Sequence, residues 1–519
     1  MKDLNQMLKK YYKLILFAIF IVAIIARWFY LPQRSLTFGY DQARDAFSSE
    51  QIINGHLKIQ GPSASTPGLY HGVFYYYLLA PAYFLGHDNP VVAAYWMSFL
   101  NSLTVFLIFY LTYQLTRKTG ISLLASFIFA ISFESTQYAS WLSNPTIGIW
   151  TVPLIYIGLW AWIKEKKAWG PVVTALGLGA SIQGEIFLAY HLVPVILWLS
   201  IARKNIDRKS LTIFGGIFLL SIFSMILASV RFGILRSISG ITSLFLSKDA
   251  IVSVKGLGDF LILYLNQFGR IFTNSVMPFN EGYAGAFGLF GVFWIARDWF
   301  SKQKETISWQ LFLLTFLFAH LSVVSLGGVS TPFLTVGLGE AAIIVTSVVL
   351  SKLWEKYKFI AILAFSVIII SNFIAINSQN RMGQTLFAIQ KDMTLKNEEE
   401  AIDYIYQKSS GKPFSISTLT SPLYINVTWS YLFNWYGNTK YGYLPYWVGH
   451  DQIGQLGNNL QFAPNSIKEH FFIMEPTYSI PELYIGYAKG DQESMSNLVE
   501  QKSFGEIVVQ ERMMKNAEQ

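Results

Sequence analysis

Long apolar runs separated by short polar turns dominate the 519-residue chain, and we place eleven crossings of about 30 Å of hydrocarbon along it. They fall near 14–31, 91–115, 120–138, 146–163, 169–183, 186–201, 211–231, 285–297, 308–326, 336–351 and 359–376. With the N-terminus inside, the basic turns all land on one side: Arg117 and Lys118; Lys164, Lys166 and Lys167; Arg203, Lys204, Arg208 and Lys209; Arg297, Lys302 and Lys304; Lys352, Lys356 and Lys358. Short Lys- and Arg-rich loops stay cytoplasmic, which sets the expected orientation. The same rule decides two ambiguous runs. Counting 70–85 as a crossing would throw every later basic turn outward, so it is read as lying in or along the membrane. The stretch 169–200 is read as two short helices meeting near 183–185, because one long helix would separate the basic turns on its two flanks.

The expected architecture is an all-α polytopic membrane bundle over 1–376, with outer loops 32–90 and 232–284, followed by an extracytoplasmic region 377–519. That region turns richer in Asn, Glu, Lys and Ser, and its pattern predicts a helix over 396–407 and another around 423–435. Strands are predicted over 413–418, 470–474 and 506–510, which makes a small α/β domain. The run 14–31 follows Lys9, Lys10 and Lys13 but is too long for a signal-peptide core, so it reads as a retained anchor.

Composition agrees: 53% of residues are hydrophobic and 13% charged. A net charge of +8 would point to nucleic acid in a soluble protein, but 19 of the 39 basic residues lie at the N-terminus or in the short turns, so no nucleic-acid partner is expected. The absence of cysteine excludes disulfides, thiol nucleophiles and Cys-ligated metals. No two histidines stand at His-x-x-x-His spacing, so no zinc site is expected. Gly177 and Gly179, and Gly285, Gly288 and Gly291, read as close helix packing rather than ligand loops.

The chemistry concentrates in 39–47. If Gln42 opens a helix, Asp41 is its N-cap, Arg44 and Asp45 share Asp41's face, and Gly55 stops the helix. The plain reading is a cap worth about 1 kcal/mol beside a solvated ion pair worth little. A capping carboxylate at a dry interface can nevertheless accept a proton. Tyr40, Phe47, Tyr70, His71, Tyr75, Tyr76 and Tyr77 form an aromatic, hydroxyl-rich wall suited to sugar faces and lipid, although an interfacial belt accounts for most of them. Polar groups at membrane depth are costly, which singles out Arg27, Glu134, Asn144, Gln183, Glu185, His191, His320 and Glu340. Glu134 and Glu185 are favoured because they fall at the outer ends of their spans. Arg231 and Arg270, on the outer side like Lys248 and Lys255, either neutralise a lipid phosphate or snorkel to the headgroups. Asp41, Asp45 and Glu134 are compatible with a divalent cation as cofactor, with no spacing that requires one.

Three features carry a resemblance: the Asp-x-x-Arg of Asp41 and Arg44, the run Leu69-Tyr70-His71-Gly72-Val73-Phe74-Tyr75-Tyr76-Tyr77-Leu78-Leu79, and Asn144-Pro145 after the third span. In their order and spacing the first 200 or so residues resemble the bacterial polytopic GT-C glycosyltransferases of the protein O-mannosyltransferase and aminoarabinose transferase type. The resemblance implies an inverting membrane glycosyltransferase that moves a hexose or pentose from a polyprenyl-phosphate donor to a lipid, glycan or protein acceptor on the outer face. It implies Asp41 as base; the coincidence of carboxylates and outer-face cations adds Asp45 and Glu134 as further site carboxylates and puts Arg44, Arg231 and Arg270 near the donor phosphate. Tyr40, Tyr70, His71, Tyr75 and Glu185 are then expected to contact substrate. The sequence departs from its relatives at Gln42, where a Glu is common, and at Gln183 or Glu185, where a Lys is common. Physical logic leads the same way, since nucleotide sugars are not available outside the cytoplasmic membrane and an outer site needs a lipid-borne donor. The alternatives are a lipid-glycan flippase without catalysis and a glycan polymerase or ligase.

Overall fold

The structure, a computed structural model, describes residues 2–64, 68–246, 256–279, 281–302, 305–323, 332–387, 390–449, 460–478 and 480–515. Lys248 and Lys255 lie outside the described residues. The chain forms helices α1 (Lys2–Trp28), α2 (Tyr40–Ile53), α3 (Phe74–Gly86), α4 (Pro90–Thr116), α5 (Thr119–Ile131), α6 (Phe133–Ser140), α7 (Gly148–Ile163), α8 (Gly170–Gly184) and α9 (Leu192–Ile201). They continue as α10 (Arg208–Ser221), α11 (Phe223–Phe232), α12 (Ile234–Leu246), α13 (Leu257–Ser275), α14 (Glu281–Lys302), α15 (Trp309–Leu317), α16 (Gly339–Lys356) and α17 (Lys358–Ala375).

Among the described residues, four helical stretches are long and apolar enough to cross a membrane: Lys10–Gln33, Pro90–Thr116, Asn144–Ile163 and Lys358–Asn380. The bent pairs α5 with α6 and α10 with α11, each broken by 53°, raise that number to six. These stretches do not by themselves confirm the expected count of eleven crossings. Some expected runs form short helices, such as the 9-residue α15, and α16 carries Glu340, Lys352, Glu355 and Lys356 within its 18 residues. The expected break in 169–200 is present, because α8 ends at Gly184 and a 3-10 turn, Ile186–His191, leads into α9.

Close packing in the bundle depends on backbone approach. A Cβ on Gly177 would stand 2.7 Å from the Ile155 nitrogen, and one on Gly288 2.6 Å from the Phe272 ring. Arg27 shows how a buried charge is accommodated. Its Nε donates to Asn101 Oδ1 (2.7 Å), Nη1 to the carbonyls of Ala23 (3.0 Å) and Ala130 (2.9 Å), and Nη2 to Ser135 Oγ (2.6 Å) and the Phe129 carbonyl (3.4 Å). All five N–H groups are used, and two of the acceptors are last-turn carbonyls of α5, where the helix needs a donor and favours positive charge. Arg27 thus joins α1, α4, α5 and α6 at the α5–α6 bend. Arg27→Met would orphan several of these acceptors at about 1–3 kcal/mol each, and it should lower the unfolding midpoint of the detergent-solubilised protein sharply.

The C-terminal region is an α/β domain with helices α18 (Leu395–Ser409), α19 (Val427–Leu432) and α20 (Glu482–Met495). Its strands are β1 (Ser415–Leu419), β2 (Tyr446–Trp447), β3 (Glu469–Met474), β4 (Ser496–Phe504) and β5 (Ile507–Met514), in the order β2-β1-β3-β5-β4. β1 runs parallel to both β2 and β3, with Ile416 opposite Trp447 on one side and Phe471 on the other. β5 pairs antiparallel with β3 and β4.

This domain is not a separate body hung on the bundle. Phe38, Ala43, Phe47, Tyr75 and Tyr83 share one buried core with Ile416, Trp429, Tyr431 and Phe471. The Tyr431 ring lies 5.5 Å from Phe38 and 5.1 Å from Phe47. Backbone bonds join the same parts, with the Phe38 N–H donating to the Met393 carbonyl (3.1 Å) and the Leu395 N–H to the Leu36 carbonyl (3.0 Å). α2 is thereby held by the bundle on one side and the α/β domain on the other.

Candidate active site

Helix α2 begins two residues earlier than expected. Gly39, in extended conformation, is the N-cap, and the Gln42 side chain folds back so that its Oε1 accepts the Gly39 N–H (3.0 Å). Because Gln42 and not Asp41 meets the helix end, the Asp41 carboxylate is released from capping. It stays in the first turn, where the helix dipole favours a negative charge. Gly55, at φ 86°, ends the helix as expected. Arg44 bridges two acids on one face. Its Nη1 donates to Asp41 Oδ1 (2.6 Å), its Nε donates to Asp45 Oδ1 (2.8 Å), and its Nη2 stands 2.7 Å from that same oxygen.

The two carboxylates differ in environment. The Asp41 side chain is 48% exposed and lines a cavity of about 750 Å³, whereas Asp45 is fully buried behind Arg44. Burial pushes the Asp45 pKa up to about 7, against the attraction of Arg44. Across the cavity, the Ile186 N–H donates to His71 Nδ1 (3.2 Å). Burial, and then the charge of Arg44, push the His71 pKa down to about 3, so the neutral ring carries its proton on Nε2. Glu185 Oε1 accepts the Phe187 N–H (3.3 Å) and lies 3.6 Å from His71 Nδ1, which with a neutral imidazole is not an ion pair. Asn144, whose Nδ2 donates to the Gly184 carbonyl (2.5 Å), and the aromatic side chains of Tyr40, Trp141, Phe187, Phe333 and Phe387 complete much of the wall.

Gly72 sets the position of His71. The Gly72 N–H donates to the Gln183 carbonyl (2.8 Å), and a Cβ on Gly72 would stand 1.5 Å from Gln183 Oε1 and 2.9 Å from Gln183 Cα. The Gln183 side chain is itself held, its Nε2 donating to the Ser221 carbonyl (2.9 Å) and Ser224 Oγ (2.8 Å). Gly72→Ala should cost about 1–3 kcal/mol through overpacking. It should also lift His71 off the Ile186 N–H, a displacement that a lowered melting midpoint together with a shifted imidazole resonance would report.

The structure therefore gathers Tyr40, Asp41, Arg44, His71 and Glu185 around one cavity and leaves other expected residues elsewhere. Asp45 lies behind Arg44 and off the wall. Glu134, in the first turn of α6 just past the α5–α6 bend, is not on the wall, and its Oε2 would be 2.4 Å from a Cβ on Gly339 at the start of α16. Arg231, exposed at the end of α11, is not on the wall, and Arg270 is taken up with Glu281 (Nε to Oε1, 3.3 Å). Tyr75 is fully buried in the shared core, and Tyr70 is exposed beside a bridge to Ser63. Asp41, Asp45 and Glu134 do not converge on one point, and among the described residues no three His, Asp or Glu side chains stand together as a metal site.

Sequence reasoning missed Gln390, Met393, Ser421 and Pro422, which close the cavity from the α/β domain. No local signal marks them, because their position depends on how that domain docks against α2.

No protein-family model matches the chain, and no curated protein matches it in sequence. Its fold is that of ArnT, the aminoarabinose transferase of Cupriavidus metallidurans. The apo crystal structure of ArnT superposes with a TM-score of 0.58 at 11% identity, covering 97% of this chain and 98% of that one. ArnT bound to undecaprenyl phosphate gives 0.57 at 12% identity over the same shares.

Proposed function

We propose that this protein is an inverting glycosyltransferase of the cell membrane that takes a sugar from a polyprenyl-phosphate carrier and transfers it to a hydroxyl of a lipid, glycan or protein acceptor. The observation that carries the reading is the pairing of a half-exposed carboxylate, Asp41, with a guanidinium, Arg44, on the wall of one cavity, in a chain whose fold matches a protein crystallised with undecaprenyl phosphate. Displacement at the anomeric carbon needs a base for the incoming hydroxyl and positive or N–H groups for the departing phosphate. Asp41 takes the acceptor proton as the new C–O bond forms. The carrier phosphate leaves with the electron pair of the broken bond, and Arg44 and the Nε2–H of His71 stabilise its charge. In this reading the site and the α/β domain face outward and the N-terminus is cytoplasmic, the orientation that the basic turns favour.

The test is reconstitution in vesicles with radiolabelled undecaprenyl-phosphate-linked hexoses and pentoses and a membrane glycolipid extract. Label recovered in a new product, with inverted anomeric configuration, supports the reading. Labelled carrier that crosses the bilayer with no product formed would replace it by a flippase, and a product mass above one added sugar would make the enzyme a polymerase or ligase.

A further inference from the structure

The side of the cavity opposite α2 is built by the α/β domain, and it has the form of a recognition site. Parallel strands β1 and β3 are neighbours, but the chain leaves β1 toward β2 on one edge and leaves β3 toward β4 and β5 on the other. Their carboxyl ends thus form a topological switch point, the place where α/β sheets open a ligand crevice. Ser421 follows the end of β1 and lines the cavity, while Glu475 follows the end of β3.

Glu475 is buried and receives three donors. The Trp429 Nε1–H reaches its Oε1 (3.1 Å), and the Ser421 N–H (2.9 Å) and Gln390 Nε2–H (2.9 Å) reach its Oε2. A carboxylate receiving three N–H groups acts only as an acceptor. The NH₂ end of the Gln390 amide must therefore face Glu475, and its Oε1 is the end left for the cavity that Gln390 lines. Among the described residues nothing donates to that oxygen.

We infer that Gln390 Oε1 accepts a hydrogen bond from a hydroxyl or amino group of the sugar carried by the donor lipid, with Glu475 as the positioning residue that fixes the amide. The inference rests on the proposed function for its ligand. A sugar between Asp41 and the α/β domain presents hydroxyl donors toward that domain, and an amide carbonyl held in one orientation discriminates among them more sharply than a free one. Glu475→Leu would remove both acceptor oxygens, so the Gln390 amide would lose the partner that orients it.

The test is displacement of a fluorescent polyprenyl phosphate from the full chain in nanodiscs, by undecaprenyl phosphate and by a panel of its hexosyl and pentosyl esters. Wild-type protein should bind at least one ester more tightly than the bare lipid phosphate. Gln390→Ala and Glu475→Leu should each erase roughly three- to tenfold of that preference, the worth of one hydrogen bond, while bare-lipid affinity is retained. The double variant should lose no more than either single one, because both changes remove the same bond. Full preference in Gln390→Ala, additive losses in the double variant, or no sugar preference in wild type would each overturn the inference. Should Glu475→Leu fail to fold, Gln390→Ala decides alone. Wild-type protein that binds neither lipid would instead overturn the proposed function.

Discussion

Asp41→Asn is expected to reduce sugar transfer by about 10²–10⁴-fold, the usual contribution of a positioned general base, while the protein folds normally. Asparagine keeps the shape of the side chain, and its Oδ1 can still accept the Arg44 Nη1–H that Asp41 Oδ1 accepts at 2.6 Å. What it lacks is a lone pair basic enough to take a proton from a hydroxyl. Only Asp41 Oδ1 is engaged by a described residue, so the second oxygen is available to the acceptor. Because the side chain is 48% exposed, its ion pair contributes about 0.2–1 kcal/mol to stability, and the melting midpoint should barely move. The measurement is single-turnover transfer at saturating donor, with carrier binding followed in parallel. Transfer close to wild type by a folded, carrier-binding Asp41→Asn protein would show that the base is another group.

How much of this site is legible in sequence depends on how local each relation is. Asp41, Arg44 and Asp45 were found because helical spacing of three and four residues brings side chains together whatever the tertiary fold. The N-cap was misplaced because Gly39 and Gln42 form an equally good local solution, which the presence of an Asp obscures. Hydropathy places a residue along a span but not around it. Glu134 accordingly sits in the first turn of α6 with its carboxylate close to Gly339 of α16, and Arg231 and Arg270 lie off the cavity wall. In the α/β domain, β1 and β3 were visible as apolar runs, but β4 was not, because seven of its nine residues are exposed and leave no alternating pattern. Gln390 and Ser421 reach the cavity through a core shared between α2 and residues near 400 positions later, and no window of sequence contains that relation.

Asp45 should govern how pH tunes carrier binding, and its two simplest variants should behave oppositely. Arg44 carries one positive charge between two acids, so with both ionised the cluster is net negative and repels a phosphodiester. With its pKa near 7, Asp45 is neutral at the acid side of that value, and only Asp41 then offsets Arg44. A glycosyl phosphodiester keeps one negative charge throughout, so its affinity should fall as pH rises through about 7. The change should be on the order of tenfold, the scale of one unit charge acting in an effective dielectric of about 20. The stability term has the same sign. The Asp45 pKa is raised on folding from 3.8, so its contribution is fully present below that value and is lost as pH rises through about 7. Asp45→Asn, neutral at every pH, should hold the carrier with a shallower pH profile, close to the acid-side affinity of wild type. Asp45→Ala leaves a nearly buried guanidinium without its inner partner and should cost about 3–5 kcal/mol of stability. A titration of donor affinity from about pH 6 to pH 8 with all three proteins separates these effects. An unchanged pH slope in Asp45→Asn would assign the titration to another group on the cavity wall.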